Sequence, residues 1–546
     1  MARYFLDFWT NELEEKIGFL EKTGGGNPLV TGLEYDSRLV QKGSLYFALP
    51  GLHTDGHKFI DSAIERGAAV IVHQSPLTEY KKDIVYIRVQ DTRFGMSAIS
   101  AAFYDYPSKH LCIIGVTGTE GKSTTVYLIF QLLRLAGKKA GFISTVQFSV
   151  DGTEQWNSEH QTTPEAAVIN KYLARMVENG MEYAIIEASS HGLSPLTNRL
   201  GDIDFDIAVM TNVTHEHLEF HGTWEQYRHD KANLFRSLDR AGHDKLIQNS
   251  LIQLPSFGVV NADDPSAAYF IQASAKKVFS YSTQGKAADM SADHIISRGD
   301  GNEYEIHCGK NGESAAFCAG ENKRLQETLV VKDNLPGAFN AGNVLASLIV
   351  AANVLELALK DICRFIPKLT PVRGRMTAIR RGQGFELIVD YAHTPSSFET
   401  IFPPLRRRLD ETGGRIISVF GSAGERDRQK RSIQGSIAAQ WSDIVVLTDE
   451  DPRGEEPLAI LEEIAQGIKN KKPDETLFLI PERPVAIRKA FSLAKEGDLV
   501  LLLGKGHENS IIYSRDGRGT IKYDEIHEAE KALGEMQAAA QSQDMR

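Results

Sequence analysis

The sequence predicts a three-domain α/β protein: a mixed N-terminal domain, a central parallel sheet covered by helices, and a C-terminal domain of Rossmann type. Its 546 residues exceed the roughly 250–300 at which one hydrophobic core stops growing, so the chain must divide. Apolar strand-like runs alternate with helical stretches through the middle and again through the last third, the pattern of parallel sheets flanked by helices. A glycine-rich turn joins one such strand to a helix, the arrangement in which this architecture offers backbone N–H groups to a ligand.

The elements follow in order. Ser44-Leu-Tyr-Phe-Ala-Leu and Ala68-Ala-Val-Ile-Val-His are strand-like runs in the first hundred residues. Tyr106-Pro107-Ser108 marks a boundary. Leu111-Cys-Ile-Ile-Gly-Val reads as a buried strand, and 124–135 as the helix after it. Met181-Glu-Tyr-Ala-Ile-Ile-Glu and Phe205-Asp-Ile-Ala-Val-Met-Thr-Asn repeat the strand signal. From 280 to 332 the pattern is β-like, and 338–359 reads as a long apolar helix. Leu369-Thr-Pro-Val-Arg-Gly is a second boundary. Strands recur at Phe385-Glu-Leu-Ile-Val-Asp, Ile416-Ile-Ser-Val-Phe-Gly, Asp443-Ile-Val-Val-Leu-Thr and Leu499-Val-Leu-Leu-Leu-Gly, as in a second doubly wound unit. The expected domains are 1–107, 108–368 and 369–546.

Composition narrows the function. Hydrophobic residues at 42% and charged residues at 24% are ordinary for a globular chain. No apolar run approaches the ~20 residues of a membrane span, and the first ten residues lack the core and cleavage site of a secretory signal. Cys112, Cys308, Cys318 and Cys363 are too scattered for a disulfide framework or a zinc site. A cytoplasmic setting, no membrane insertion and a monomer are expected. The formal net charge of −11 argues against a nucleic-acid surface, so an acidic ligand must be met by local basic groups and backbone N–H donors.

Gly118-Thr119-Glu120-Gly121-Lys122-Ser123-Thr124 follows a strand and opens a helix, the setting of a phosphate loop (P-loop). Its glycines let N–H groups wrap phosphates, Lys122 would reach the β- and γ-phosphates, and the Ser123 hydroxyl would ligate Mg²⁺. The strict signature asks for glycine where Val116 stands; the bland alternative is a glycine turn with a solvated lysine. Glu187 ends an apolar strand, where a parallel sheet delivers its ligands. Alone it would read as a solvated strand end, but beside a phosphate loop it reads as a second metal ligand. His215, Glu216, His217, Glu219 and His221 crowd the run 211–222. The run lacks the His-Glu-x-x-His helix of a zinc hydrolase, and hard phosphate chemistry favours Mg²⁺.

These motifs together resemble the Mur ligase family. The loop 118–124 is similar to its ATP loop. Glu187-Ala-Ser-Ser-His-Gly-Leu and Thr211-Asn-Val-Thr-His-Glu-His-Leu-Glu-Phe-His-Gly-Thr are similar to its central signatures. Gly337-Ala-Phe-Asn340-Ala-Gly-Asn343, Asp390-Tyr-Ala-His393-Thr-Pro and Gly504-Lys-Gly-His-Glu508 resemble its adenine-side and C-terminal motifs. The resemblance runs from about 36 to 508. It implies a central P-loop ATPase domain, an N-terminal α/β uridine-binding domain and a C-terminal Rossmann-like domain that binds an amino acid.

Within the family, the resemblance is to the branch that extends a UDP-muramoyl dipeptide. Asp36-Ser37-Arg38 and Gly51-Leu-His53-Thr54-Asp55-Gly are similar to its uridine-binding motifs. Thr162, Thr163, Ser189 and Arg199 fall at muramoyl-peptide contacts, Arg199 after a short insertion near Ser194-Pro195. Asn340, Asn343, Arg375, Asp390 and His393 would hold ATP from the adenine side. His217 and Lys231 would hold a second Mg²⁺, Lys231 as an N6-carboxylysine (carbamate). By its residues alone, Lys231 reads as a surface helix lysine. The departures are His215 and Glu216 in the metal run, Gly342 between the asparagines, and Ser396 after His393-Thr-Pro.

Arg426, Glu450, Asp451, Pro452, Arg453, Gly504 and Glu508 follow strands of the C-terminal sheet, so their loops should meet in one crevice. Arginine grips a carboxylate and glutamate holds an ammonium. The resemblance links Arg453 to the distal carboxylate of meso-diaminopimelate. Glu450-Asp451 in place of Asp-Asn adds negative charge, which favours lysine or ornithine. A surface ion pair is the bland reading of Arg453. The implied activity is ATP-dependent addition of a diamino acid, meso-diaminopimelate favoured, to UDP-N-acetylmuramoyl-L-alanyl-D-glutamate through an acyl phosphate, in peptidoglycan biosynthesis. Lys122, Glu187, His217 and Lys231 would be catalytic. The alternatives are a folylpolyglutamate synthetase-like ligase, against which the uridine-type domain and the Asp-Pro-Arg loop argue, and a nucleotide-gated binding protein.

Overall fold

Five consecutive apolar residues, Leu499–Leu503, are buried on both faces of a sheet, as are Cys112–Thr117 and Tyr183–Glu187. Such unalternating runs belong to strands covered by helices on both sides. The computed structural model describes residues 1–546 except 52–53, 158–160, 215–217, 299–300, 309–327, 516 and 545–546.

Two compact units result. The first holds Met1–Ser291 and Leu345–Ile362; the second holds Ala292–His307, Glu327–Val344 and Cys363–Arg546. Within the first unit, the central strands Ala140–Ile143, Tyr183–Glu187, Cys112–Thr117, Ile207–Met210, Phe257–Asn261 and Lys277–Ser282 are adjacent in that order and parallel. The sheet is mixed rather than parallel throughout, because Gln147–Ser149 and Gln155–Trp156 add antiparallel strands at one edge. A short connection explains this: Ile143 and Gln147 are too close in sequence for the crossover that a parallel neighbour needs. Gly301–Cys308 and Thr328–Lys332 also pair antiparallel with each other.

The N-terminal sheet runs Phe19–Thr23, Val85–Val89, Val70–His73, Ser44–Phe47, Gly32–Glu34, with only the first strand antiparallel. Its core, including Phe5, Phe8, Phe47 and Phe103, continues onto Ala166, Ala167 and Ala174 of the helix Ala166–Glu178. In the second unit the sheet order is Thr377–Ile379, Glu386–Asp390, Leu499–Leu503, Ile416–Phe420, Ile444–Leu447, Leu477–Leu479. All neighbours are parallel except the first pair. Separate apolar clusters cover its two faces.

Cys112 and Cys363 are buried free thiols. Among the described residues, no single helix is long and apolar enough to cross a membrane. The apolar helix Asn340–Leu355 owes its composition to burial, with Val344, Leu345, Leu348 and Ile349 wholly covered.

Candidate active site

The strand Cys112–Thr117 ends in the loop 118–121, and the helix Lys122–Leu135 starts directly after it. Gly118 has φ +149°, and a Cβ there would sit 1.9 Å from Thr211 Oγ1. Gly121 caps the helix at φ +82°. Both positions therefore require glycine. Asn212 braces the loop: its Oδ1 accepts from Glu120 N–H at 2.8 Å and Thr119 N–H at 3.2 Å, and its Nδ2 donates to Glu120 O. Thr211 Oγ1 also donates to Glu120 O, at 2.6 Å. Lys122 folds back, its Nζ donating to Thr119 O at 2.7 Å. Thr124 lies in the first helical turn.

Parallel pairing sets Glu187 opposite Val116, so its carboxylate arrives beside the loop. Ser123 Oγ donates to Glu187 Oε2 at 2.9 Å, and Thr145 N–H donates to the same oxygen at 2.8 Å. Glu187 is 2% exposed, which removes the solvated-strand-end reading. A buried carboxylate beside a serine hydroxyl is an all-oxygen donor pair. It suits a hard divalent cation that keeps waters and phosphate oxygens as its other ligands. Lys231 is also 2% exposed, not a surface lysine. Its Nζ donates to Gly118 O at 2.6 Å and lies 4.4 Å from the centroid of the Tyr227 ring. The surface reading failed because the helix Trp224–Arg240 turns Tyr227, Asp230, Lys231 and Leu234 inward. His217 and His53 lie outside the described residues, as do His215 and Glu216.

Thr163 ties the neighbouring segments together. Its Oγ1 donates to Glu187 O and accepts from Ser189 N–H, both at 2.9 Å. Arg199 Nη1 donates to Thr163 O at 2.7 Å, while Nη2 meets Glu165 Oε1 at 2.9 Å. Thr162, Thr163, Ser189 and Arg199 thus share one neighbourhood with Glu187. Ser37 and Thr54 follow the parallel strands Gly32–Glu34 and Ser44–Phe47, which brings both loops to one edge of the N-terminal sheet.

In the second unit, Asn340 Nδ2 donates to Pro336 O, and Asn343 Nδ2 donates to Asn340 Oδ1 at 2.9 Å. The Arg375 guanidinium stacks 4.6 Å over the Tyr391 ring. Burial pushes the Asp390 carboxyl up, with Arg375 and two backbone N–H donors opposing it. His393 Nδ1 lies 2.9 Å from Tyr391 O.

The C-terminal loops do converge. Gly424 N–H donates to Asp451 O, Arg453 N–H donates to Ile512 O, and a Cβ on Gly504 would touch Glu450 Oε2 at 2.9 Å. Arg483, fully buried, chelates Glu525 and donates to Asp449 O and Leu503 O, tying two of these loops together. Asp451 is not free to add charge. Lys505 Nζ lies 3.0 Å from its Oδ1 and also contacts Glu508. Burial pulls Lys505 down, but Glu508 and Asp451 outweigh it and hold the ammonium above its usual range. Sequence reasoning missed Lys505 because its motif pointed only to the flanking Gly504 and Glu508. Glu450 Oε2 and Arg453 Nε are buried and have no hydrogen-bond partner. Arg453 is half-buried and forms no ion pair among the described residues. Arg426 is exposed. His507, its ring 4.6 Å from that of Tyr391 and tilted 52° to it, is held neutral, its pKa driven well below the usual histidine value by burial and then by Arg375.

Comparison with known proteins is decisive here. The Mur ligase middle domain matches residues 116–351, the Mur ligase glutamate ligase domain 374–506, and the Mur ligase family catalytic domain 29–104. The chain belongs to the Mur ligase family. A UDP-N-acetylmuramyl-tripeptide synthetase of Treponema denticola is 48% identical over 96% of this chain and 98% of its own. The UDP-N-acetylmuramoyl-L-alanyl-D-glutamate--2,6-diaminopimelate ligase of Geobacillus kaustophilus is 36% identical over 94% and 96%. A solved structure of a ligase of that second name superposes with a TM-score of 0.57 at 27% identity, covering 93% of this chain and 95% of that one. The three-domain Mur ligase architecture accounts for the N-terminal, central and C-terminal sheets. Asn212 lies inside a Mur ligase motif of the sequence, but its bracing of the loop depends on strand neighbours that only the fold reveals.

Proposed function

We propose that this Mur ligase joins a diamino acid to the free carboxylate of UDP-N-acetylmuramoyl-L-alanyl-D-glutamate with ATP as co-substrate. The observation that carries the reading is the Ser123–Glu187 contact at the mouth of the glycine loop, in a chain nearly half identical to a tripeptide synthetase along its whole length.

A carboxylate resists attack by an amine because its charge repels the nucleophile. Transfer of the γ-phosphoryl group from ATP to a carboxylate oxygen releases ADP and leaves an acyl phosphate. The α-amine then attacks the acyl carbon, phosphate departs, and the amine's surplus proton passes to solvent. Mg²⁺ bound there would neutralise charge on the transferring phosphoryl group. The residues assigned to hold it are Ser123 and Glu187, with His217 and a carbamylated Lys231 for a second ion. Lys122 exchanges the Thr119 carbonyl for phosphate oxygens. Thr162, Thr163, Ser189 and Arg199 orient the muramoyl peptide; Ser37, His53 and Thr54 take the uridine end. Asn340, Asn343, Arg375, Asp390 and His393 hold the nucleotide's other end.

For the amino acid, the orphaned Glu450 Oε2 and Arg453 Nε suit an ammonium and a carboxylate at the distal end of one side chain. Asp451 is already neutralised by Lys505, which weakens the case for a purely cationic side chain. Meso-diaminopimelate carries both distal groups and is the favoured substrate. The test supplies the UDP-muramoyl dipeptide and ATP with meso-diaminopimelate, lysine or ornithine, and identifies products by mass spectrometry. The tripeptide should form fastest with meso-diaminopimelate. A faster rate with lysine or ornithine overturns the specificity, and no amide from any of the three overturns the ligase reading.

A further inference from the structure

The helix Trp224–Arg240 presents Tyr227, Asp230, Lys231 and Leu234 on one buried face, the i, i+3, i+4, i+7 spacing of a single stripe. Its polar members reach separate parts of the phosphate site. Tyr227 Oη lies 3.0 Å from Thr119 Oγ1, and Lys231 Nζ donates to Gly118 O. Asp230 takes a third route. Its Oδ2 lies 2.8 Å from His221 Nδ1, and His221 Nε2 lies 3.0 Å from Ser190 Oγ. Gln226 Nε2 donates to the other Asp230 oxygen at 2.8 Å, so the carboxylate is engaged at both ends. The side chains of His221 and Asp230 are 0% and 1% exposed.

A serine, a histidine and an aspartate in this order have the connectivity of a nucleophilic triad. Burial excludes that use: Ser190 is 2% exposed and sits between Ser189 and the Glu187 strand on one side and the His221 ring on the other. What the chain of contacts does is mechanical. It runs from the segment after Glu187 to the helix residue immediately before Lys231. A carboxylate accepts only, so Nδ1 of His221 carries a hydrogen and the ring is held in one orientation.

We propose that Ser190, His221 and Asp230 are positioning residues that lock the Lys231 helix against the end of the Glu187 strand, and so set the separation of the two groups assigned to the metals. The inference rests on the reading of Lys231 as a carbamylated metal ligand. Partners that orient ligands through hydrogen bonds change affinity or activity by about 10–100-fold when lost.

The test compares Ser190→Ala, His221→Gln, Asp230→Asn, the His221→Gln/Asp230→Asn double variant and Lys231→Ala in the full chain. Three quantities are read: kcat with KM for ATP and diamino acid, the ¹³C carbamate signal of protein equilibrated with ¹³C-bicarbonate, and melting temperature. Loss of about 10–100-fold in kcat, KM values nearly unmoved, a weakened carbamate signal, and a double variant no worse than its worse single are expected. Ser190→Ala removes only the outer hydrogen bond and conserves the packing, so it carries the test if the histidine variant does not fold. Lys231→Ala at the wild-type rate sinks the Lys231 reading itself. Lys231→Ala inactive, even at high bicarbonate, while Ser190→Ala and His221→Gln keep wild-type kcat and carbamate signal, overturns the relay alone. So do additive losses in the double variant.

Discussion

Lys122 shows how a single residue waits for its ligand. Its ammonium rests on the Thr119 carbonyl, a neutral acceptor that a phosphate oxygen outcompetes through charge. Removing the side chain leaves the loop's N–H donors in place but no mobile cation over the transferring group. Lys122→Ala should lower kcat by about 10²–10³-fold, the usual effect of deleting one electrostatic stabiliser. ADP release measured with saturating dipeptide and diamino acid checks this; near-wild-type turnover would remove Lys122 from the chemistry. Glu187 and Lys231 carry a second lesson at this scale. Both are charged and both are 2% exposed, and a charge is buried only where partners or ligands compensate it. The sequence placed Glu187 at a strand end, from which its role could be read. For Lys231 it offered only a polar helix, because the stripe containing Tyr227 and Asp230 is not an apolar stripe.

At the scale of elements, the strand–loop–helix unit 112–135 was legible from local pattern, and so were the parallel strands that deliver Glu187, Glu450 and Gly504. These strands are buried on both faces and read as continuous apolar runs. Less legible were the antiparallel edge strands Gln147–Ser149 and Gln155–Trp156, too short for a periodic signal, and the contacts of Asn212 and Lys505, which depend on neighbours distant in sequence. The glycine loop gives the element-scale prediction. Gly118 is at φ +149°, and a methyl group added there would meet Thr211 Oγ1 at 1.9 Å, whereas Gly137 is at φ +82° with nothing within 4 Å. Alanine at either position incurs backbone strain of about 1 kcal/mol, but only at Gly118 must the Thr211–Asn212 brace also move. Gly118→Ala should lose ATP binding as well as stability; Gly137→Ala should lose a little stability and no activity. Calorimetric titration with a non-hydrolysable ATP analogue distinguishes them, and equal nucleotide affinity in both variants contradicts the brace.

Across the whole molecule, cores rather than sequence boundaries decide what melts together. The N-terminal sheet and the central helix Ala166–Glu178 share one apolar cluster, while the C-terminal sheet is covered on each face by clusters of its own. Chains of several domains depart from two-state unfolding, so at least two calorimetric transitions are expected, with the N-terminal and central sheets in one and the C-terminal sheet in another. Asp449 marks the second. Burial pushes its carboxyl up to about 6, against a usual value near 3.8. A raised acid keeps its full stability contribution below pH ~4, loses it as pH rises through about 6, and thereafter carries a constant penalty. Asp449→Asn removes the charge yet leaves an oxygen for the Tyr513 hydroxyl. At pH 7.5 it should stabilise the C-terminal transition by on the order of 1–2 kcal/mol, and at pH 4 by almost nothing. The transition lowered by Gly118→Ala, whose strain falls on the central sheet, should not respond to Asp449→Asn at either pH. A single transition that moves as one under both perturbations would show that the cores are energetically joined.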